Sequence, residues 1–164
     1  MGLTAIVGAV LFAVAIAMPL AAEAQQAIFL LRHAEQTPET EPVLTEAGHR
    51  RAAALARRLK DAGIGAIYVT DAVRTRQTAE PTAKALGIEP RIVARQDIEG
   101  LAARLRREHS QDRVLVVNHA LNIAALLRAL GHPKGVPVAV DDYEPLFVIV
   151  PRPEGPPTVI YLRQ

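Results

Sequence analysis

A chain of 164 residues, half of them hydrophobic and 22% charged, with a net charge of +2, suits one globular domain and argues against a disordered protein or a strongly basic nucleic-acid binder. Without cysteine there is no disulfide framework, thiolate metal site or lipid-modified cysteine. Three Phe, three Tyr and no Trp leave little for bases to stack on, and Arg50-Arg51 and Arg57-Arg58 read as solvated helix faces. No nucleic-acid partner is expected.

Residues 2 to 22 carry no charge, and Ala22-Glu23-Ala24 forms an A-x-A pattern before Gln25. This predicts a secretory signal peptide over 1–24, with a domain at 25–164 that is periplasmic or secreted. No Lys or Arg precedes the apolar run, so an N-terminal anchor is the alternative, Leu3 to Ala22 being long enough to span a bilayer. Membrane contact is expected only in that case.

Ile28-Phe29-Leu30-Leu31 reads as a short buried strand, and it is followed at once by Arg32, His33, Ala34 and Glu35. Ligands in open α/β sheets bind beyond the carboxyl ends of the strands, so this histidine falls where chemistry usually falls. A polar strand end, with Arg32 paired to Glu35, is the plain structural alternative. Gln36 to Val43 reads as a loop at a cleft rim. Thr45 then caps a helix that repeats Ala52, Leu55, Ala56 and Leu59 until Asp61-Ala62-Gly63 stops it.

Ala66 to Val69 is a second strand with a polar end at Thr70, Asp71 and Arg74. The helix from Arg74 to Leu86 contains Pro81, which removes a helical hydrogen bond and predicts a kink or break. Arg91 to Ala94 forms a third strand, ending at Arg95-Gln96-Asp97, and Ile98 to Glu108 returns to helical spacing. Arg113 to Val117, the strongest strand, ends at Asn118-His119, and Leu121 to Leu130 is helical. Leu146 to Val150 and Thr158 to Leu162 predict a C-terminal antiparallel hairpin. The alternation predicts an α/β fold, a mostly parallel sheet with helices on both faces. His49, His109 and His132 read as surface or capping residues.

On one sheet edge, His33, Arg74, Asp97 and His119 would project into the same crevice. Guanidiniums and a helix N-terminus after His119 would make it electropositive and suited to phosphate. A neutral imidazole among them is a competent nucleophile towards phosphorus. A metallohydrolase built from His33, His119 and carboxylates lacks a well-spaced ligand set.

Leu31-Arg32-His33-Ala34-Glu35 resembles the R-H-G motif of the histidine phosphatase superfamily, the phosphoglycerate mutase-like fold, with Ala34 in place of Gly. Thr70 to Ala79 resembles its second block, and Val116-Val117-Asn118-His119 the block carrying the second histidine. The resemblance implies that His33 is phosphorylated and that Arg32, Arg74 and His119 hold the phosphoryl oxygens, with no metal or other cofactor. Asn118 is placed with the substrate-binding residues, its backbone N–H facing phosphate, with a helix-start residue as its structural reading. Asp97 is the chosen general acid, with Glu99, Asp141 and Asp142 as alternatives and a helix N-cap as its structural reading.

The short spacing between the blocks leaves no room for a substantial lid, and an open site favours hydrolysis over a mutase reaction. The sequence therefore predicts a metal-independent phosphatase acting on a phosphomonoester or phosphoramidate, either a small phosphorylated molecule or a phosphoprotein. The alternative is a catalytically inactive phosphate-binding module.

Overall fold

Ten elements follow one another in the computed structural model, which describes residues 26–164: β1 (Ala27–Arg32), α1 (Glu46–Leu59), β2 (Ile64–Thr70), α2 (Val73–Leu86), β3 (Arg91–Val93), α3 (Ile98–Glu108), β4 (Arg113–Asn118), α4 (Ala120–Ala129), β5 (Pro145–Val150) and β6 (Thr158–Arg163). The expected leader over 1–24 lies outside the described residues. Among those described, no helix is long and apolar enough to cross a membrane.

One six-stranded sheet runs in the order β3-β2-β4-β1-β5-β6. The first four of these are parallel neighbours, whereas β5 pairs antiparallel with β1 and β6 antiparallel with β5. The predicted α/β class and the C-terminal hairpin are both present, and the hairpin extends the main sheet.

Apolar runs without alternation are what strands buried on both faces require. In β1, Ile28 and Leu30 pack with α3 and α4 residues such as Leu105 and Ile123, while Leu31 packs with Leu55 of α1 and Ala79 of α2. The sheet thus carries two cores, and each fully buried Leu or Ile contributes about 1.5–3 kcal/mol. Thr45 caps α1 by accepting from the Gly48 N–H at 3.1 Å, a contribution of about 1 kcal/mol.

Two expectations are corrected here. Of the kink or break expected at Pro81, the break is absent, since α2 runs through Pro81 as one helix. Packing of its buried Thr75, Thr78, Ala79 and Ala83 outweighs the single hydrogen bond that the proline removes. Of the surface or capping role expected of His109, the cap is present, since His109 is the C-cap of α3, but the surface position is not: it is 4% exposed, its Nε2 lies 2.9 Å from the Tyr68 hydroxyl and its Nδ1 2.7 Å from an Asp112 carboxylate oxygen. Tyr68 is itself fully buried in β2 and its hydroxyl needs a partner, which draws the imidazole inward.

Candidate active site

The adjacency of β1 and β4 positions the first imidazole against the second. Arg32 is in register with Asn118, and the His33 N–H donates to the Asn118 carbonyl at 2.9 Å, so His33 and His119 leave the sheet side by side. Their ring centroids lie 5.4 Å apart. On the far side of β4, strand β2 ends at Thr70 and delivers Arg74 on the first turn of α2.

Arg32, His33, Arg74 and His119 line a single cleft of about 170 Å3, together with Gln36 and Arg95 and with Leu121 and Val140 at the mouth. The two imidazoles are 3% exposed and Arg32 7%. A larger groove of about 690 Å3 lies against α2 and β3 and holds no imidazole.

Hydrogen-bond partners assign the tautomer of each ring. The Ala34 carbonyl can only accept, so His33 Nδ1 carries the proton and donates to it at 2.9 Å, which leaves the Nε2 lone pair free. The Arg74 guanidinium can only donate, so His119 Nδ1 accepts from it at 3.3 Å and Nε2–H donates to Thr70 Oγ1 at 3.0 Å. Thr70 Oγ1 lies 3.0 Å from Thr75 Oγ1, and Thr75 Oγ1 donates to the Ala72 carbonyl at 2.8 Å. This buried chain anchors the ring of His119 to the β2–α2 junction.

Burial and the neighbouring guanidiniums both disfavour a charged imidazole here. Burial, opposed by the Ala34 carbonyl and reinforced by Arg32, Arg74 and Arg95, pushes His33 down to about 4. Burial together with Arg95 and Arg74 pushes His119 down to about 3. Both rings are neutral at pH 7.

The guanidiniums are held in different ways. Arg32 stacks on Tyr143, its central carbon 3.8 Å from the ring centroid, and its Nη1 donates to the Asp142 carbonyl at 3.4 Å. The Nε atoms of Arg32 and Arg74 are buried with no acceptor among the described residues. Buried donors are normally paired, so these two are exceptions, and the cleft that Arg32 and Arg74 line with Arg95 is cationic and suited to an oxyanion. Among the described residues no group of three or more His, Asp or Glu converges as metal ligands.

Ala34, standing where the motif has Gly, is accommodated. Its side chain packs with Leu44 and Ala52, its N–H donates to Thr78 Oγ1 at 2.9 Å, and among the described residues no non-glycine has positive φ. Thr78 in turn donates to the Arg74 carbonyl at 2.7 Å, tying the backbone after His33 to the helix that bears Arg74. Glu35 is bonded by Arg51, at 2.7 Å from its Nη2, and not by Arg32.

Two other expectations about the crevice do not hold. Asp97 is the N-cap of α3, its Oδ1 accepting from the Gly100 N–H at 3.0 Å, and it is not among the cleft-lining residues. The chain turns into the helix directly after β3, and the turn consumes the carboxylate. Glu99, Asp141 and Asp142 are likewise absent from the lining. Asn118 is buried beneath the cleft, with Oδ1 accepting from the His119 N–H and from Asn122 Nδ2, both at 2.9 Å. Its side chain secures the start of α4, the helix-start role of its structural reading, and Asn118 is not among the cleft-lining residues.

Arg95, Gln36 and Tyr143 reach the site without having been singled out as site residues. The only sequence signal for Arg95 is its place at the end of a strand. Tyr143 arrives by way of a long irregular loop, for which local pattern gives no position.

The arrangement is an arginine-lined cleft that holds two neutral imidazoles, one with its Nε2 lone pair free. A sequence model of the histidine phosphatase superfamily, branch 1, matches residues 28–97. Solved structures share the fold. The protein histidine phosphatase SixA complexed with tungstate is 19% identical with a TM-score of 0.70, over 84% of this chain and 96% of that one. SixA from Agrobacterium tumefaciens is 23% identical with a TM-score of 0.61, over 84% and 97%. Phosphoserine phosphatase from Entamoeba histolytica, in complex with 3-phosphoglyceric acid, is 13% identical with a TM-score of 0.65, over 85% and 97%. No curated protein sequence matches the chain. The match over residues 28–97 and the shared fold make the chain similar to the histidine phosphatase superfamily.

Proposed function

We propose that the protein is a phosphatase that hydrolyses a phosphomonoester or phosphoramidate through a phosphohistidine on His33. The observation that carries this reading is the confinement of His33, His119, Arg32 and Arg74 to one anion-sized cleft. The His33 Nε2 lone pair attacks phosphorus, the bond from phosphorus to the leaving atom breaks, and its electron pair departs with that atom. The ring becomes cationic as the N–P bond forms, and the Ala34 carbonyl, accepting from Nδ1–H, stabilises that charge.

The guanidiniums of Arg32 and Arg74, which line the cleft, oppose the charge that develops on the phosphoryl oxygens. Water then attacks the phosphorus, the N–P bond breaks back to a neutral imidazole, and phosphate leaves. No step is routed through a metal.

The substrate is either a small phosphorylated molecule or a phosphoprotein. Solved relatives bear the names protein histidine phosphatase and phosphoserine phosphatase, which support a phosphorylated substrate in general. Leu121 and Val140 at the mouth are 75% and 67% exposed, so a phosphoryl group borne on a larger molecule has access. The uncharged segment at residues 2–22 supports a periplasmic or secreted location, which cell fractionation checks.

Turnover of 4-nitrophenyl phosphate and of phosphoramidate by the purified protein in the presence of a chelator tests the reading. Activity lost in His33→Ala is the expected result. Phosphate binding without turnover above the His33→Ala background would assign the cleft to a binding module instead.

A further inference from the structure

The cleft around His33 accommodates a phosphoryl group and little more, so a substrate must extend into a neighbouring space. An adjoining polar pocket of about 380 Å3 is lined by Thr40, Glu41, Asp71, Gln96, Arg74 and Arg95. Arg74 and Arg95 are the two residues common to both cavities. In a substrate that spans the two, the scissile bond lies at this seam.

The two arginines at the seam differ in their engagements. Arg74 donates to His119. The Arg95 guanidinium makes no hydrogen bond or ion pair among the described residues, although its backbone is fixed: the Arg95 carbonyl accepts from Asn122 Nδ2 of α4 at 2.9 Å. Its guanidinium therefore lines the cleft beside the two imidazoles without a hydrogen-bonded counter-ion.

The lining of the cleft contains no carboxylate. A departing group thus has no side-chain acid in the cleft from which to take a proton. A guanidinium does not give up its proton at accessible pH, but it neutralises negative charge that develops beside it.

We infer that Arg95 is a further catalytic residue, whose guanidinium holds the leaving atom as it departs from phosphorus. This rests on the phosphatase reading above. As the His33 N–P bond forms, the P–O bond breaks, the electron pair passes to the leaving oxygen, and that oxyanion is held against Arg95 until it takes a proton from water. Charge neutralisation without proton donation favours leaving groups that are already acidic, such as phenols and carboxylic acids, over simple alcohols.

The test is kcat/KM for a series of substituted phenyl phosphates, plotted against the pKa of the leaving phenol, for the wild type, Arg95→Ala and Arg95→Lys. Arg95→Ala is expected to lose roughly a hundredfold with the least acidic phenols and much less with 4-nitrophenol, giving a steeper dependence. Arg95→Lys and added guanidinium ion should each restore part of the loss. An unchanged slope in Arg95→Ala, whether with uniform loss or none, overturns the inference while the phosphatase reading stands. A slope that instead steepens in Glu41→Gln or Asp71→Asn, with Arg95→Ala silent, assigns the role to a carboxylate in the adjoining pocket and also overturns it. A wild-type protein that turns over none of the series overturns the inference, and one that also leaves phosphoramidate intact overturns both.

Discussion

His33 and His119 face each other edge-on, with ring planes at 65° and centroids 5.4 Å apart, yet each is held by a different part of the fold. His33 is fixed by the carbonyl of the next residue, whereas His119 is fixed by Thr70 at the end of a neighbouring strand. The pair is a consequence of β1 and β4 being hydrogen-bonded partners.

The Thr70 hydroxyl is the acceptor that keeps the proton of His119 on Nε2 and leaves Nδ1 towards Arg74. In Thr70→Val that acceptor is lost at nearly constant volume. We predict a fall in kcat of about tenfold, or ~1.4 kcal/mol, at the lower end of the ~1–3 kcal/mol of a buried group left unpaired, with little change in the circular dichroism spectrum. Unaltered kcat would mean that the orientation of His119 does not depend on this hydroxyl.

A bound dianion reverses the electrostatics at His119, which burial and the guanidiniums hold at about 3 in the unliganded protein. Its pKa should rise when sulfate, a dianion throughout this range, occupies the cleft. Sulfate binding at pH 5 is therefore expected to take up protons, measured by calorimetry in buffers of different ionisation heat. His119→Gln should remove most of the uptake.

Folding stability should fall on mild acidification. Both imidazoles have folded pKa values, about 4 and about 3, below the ordinary value near 6.5, so the unfolded chain binds more protons. Their contribution is complete above pH 6.5 and is lost as the pH drops from there towards 4 and then 3. The slope is at most ~1.4 kcal/mol per pH unit for each group. Urea denaturation at pH 7 and pH 5 should show the loss, and the double variant His33→Asn with His119→Asn should flatten it.

Gly48 lets α1 approach the chain just after His33. A Cβ at this position would lie 2.2 Å from the Glu35 carbonyl oxygen, which already accepts from the Thr45 N–H at 2.9 Å. Gly48→Ala is expected to cost ~1–3 kcal/mol and to lower activity by shifting Glu35 and, through it, His33. Wild-type melting temperature and kcat together would contradict this.

Much of this architecture is legible in the sequence because polar residues interrupt apolar runs at the strand ends. Arg32-His33, Thr70 and Asn118-His119 mark three strand ends whose position follows from the parallel sheet. Asp97 carries the same mark, but the turn into α3 uses its carboxylate as a cap, and a sequence alone does not separate those two fates. Arg95, two residues earlier, lines the cleft because its side chain is long and unpaired. The burial of His109 follows from a tertiary contact with Tyr68, 41 residues away, to which local periodicity is blind. The continuity of α2 through Pro81 is decided likewise by packing, which outweighs propensity.

The central claim is that the Nε2 lone pair of His33 accepts the phosphoryl group. Acid quenching and base quenching of the protein during turnover of a 32P-labelled phosphoramidate, followed by peptide mapping, measures this directly. Label that is lost in acid, survives base and maps to His33 is the predicted result. Label on another residue, or none while phosphate is still being released, would contradict the account.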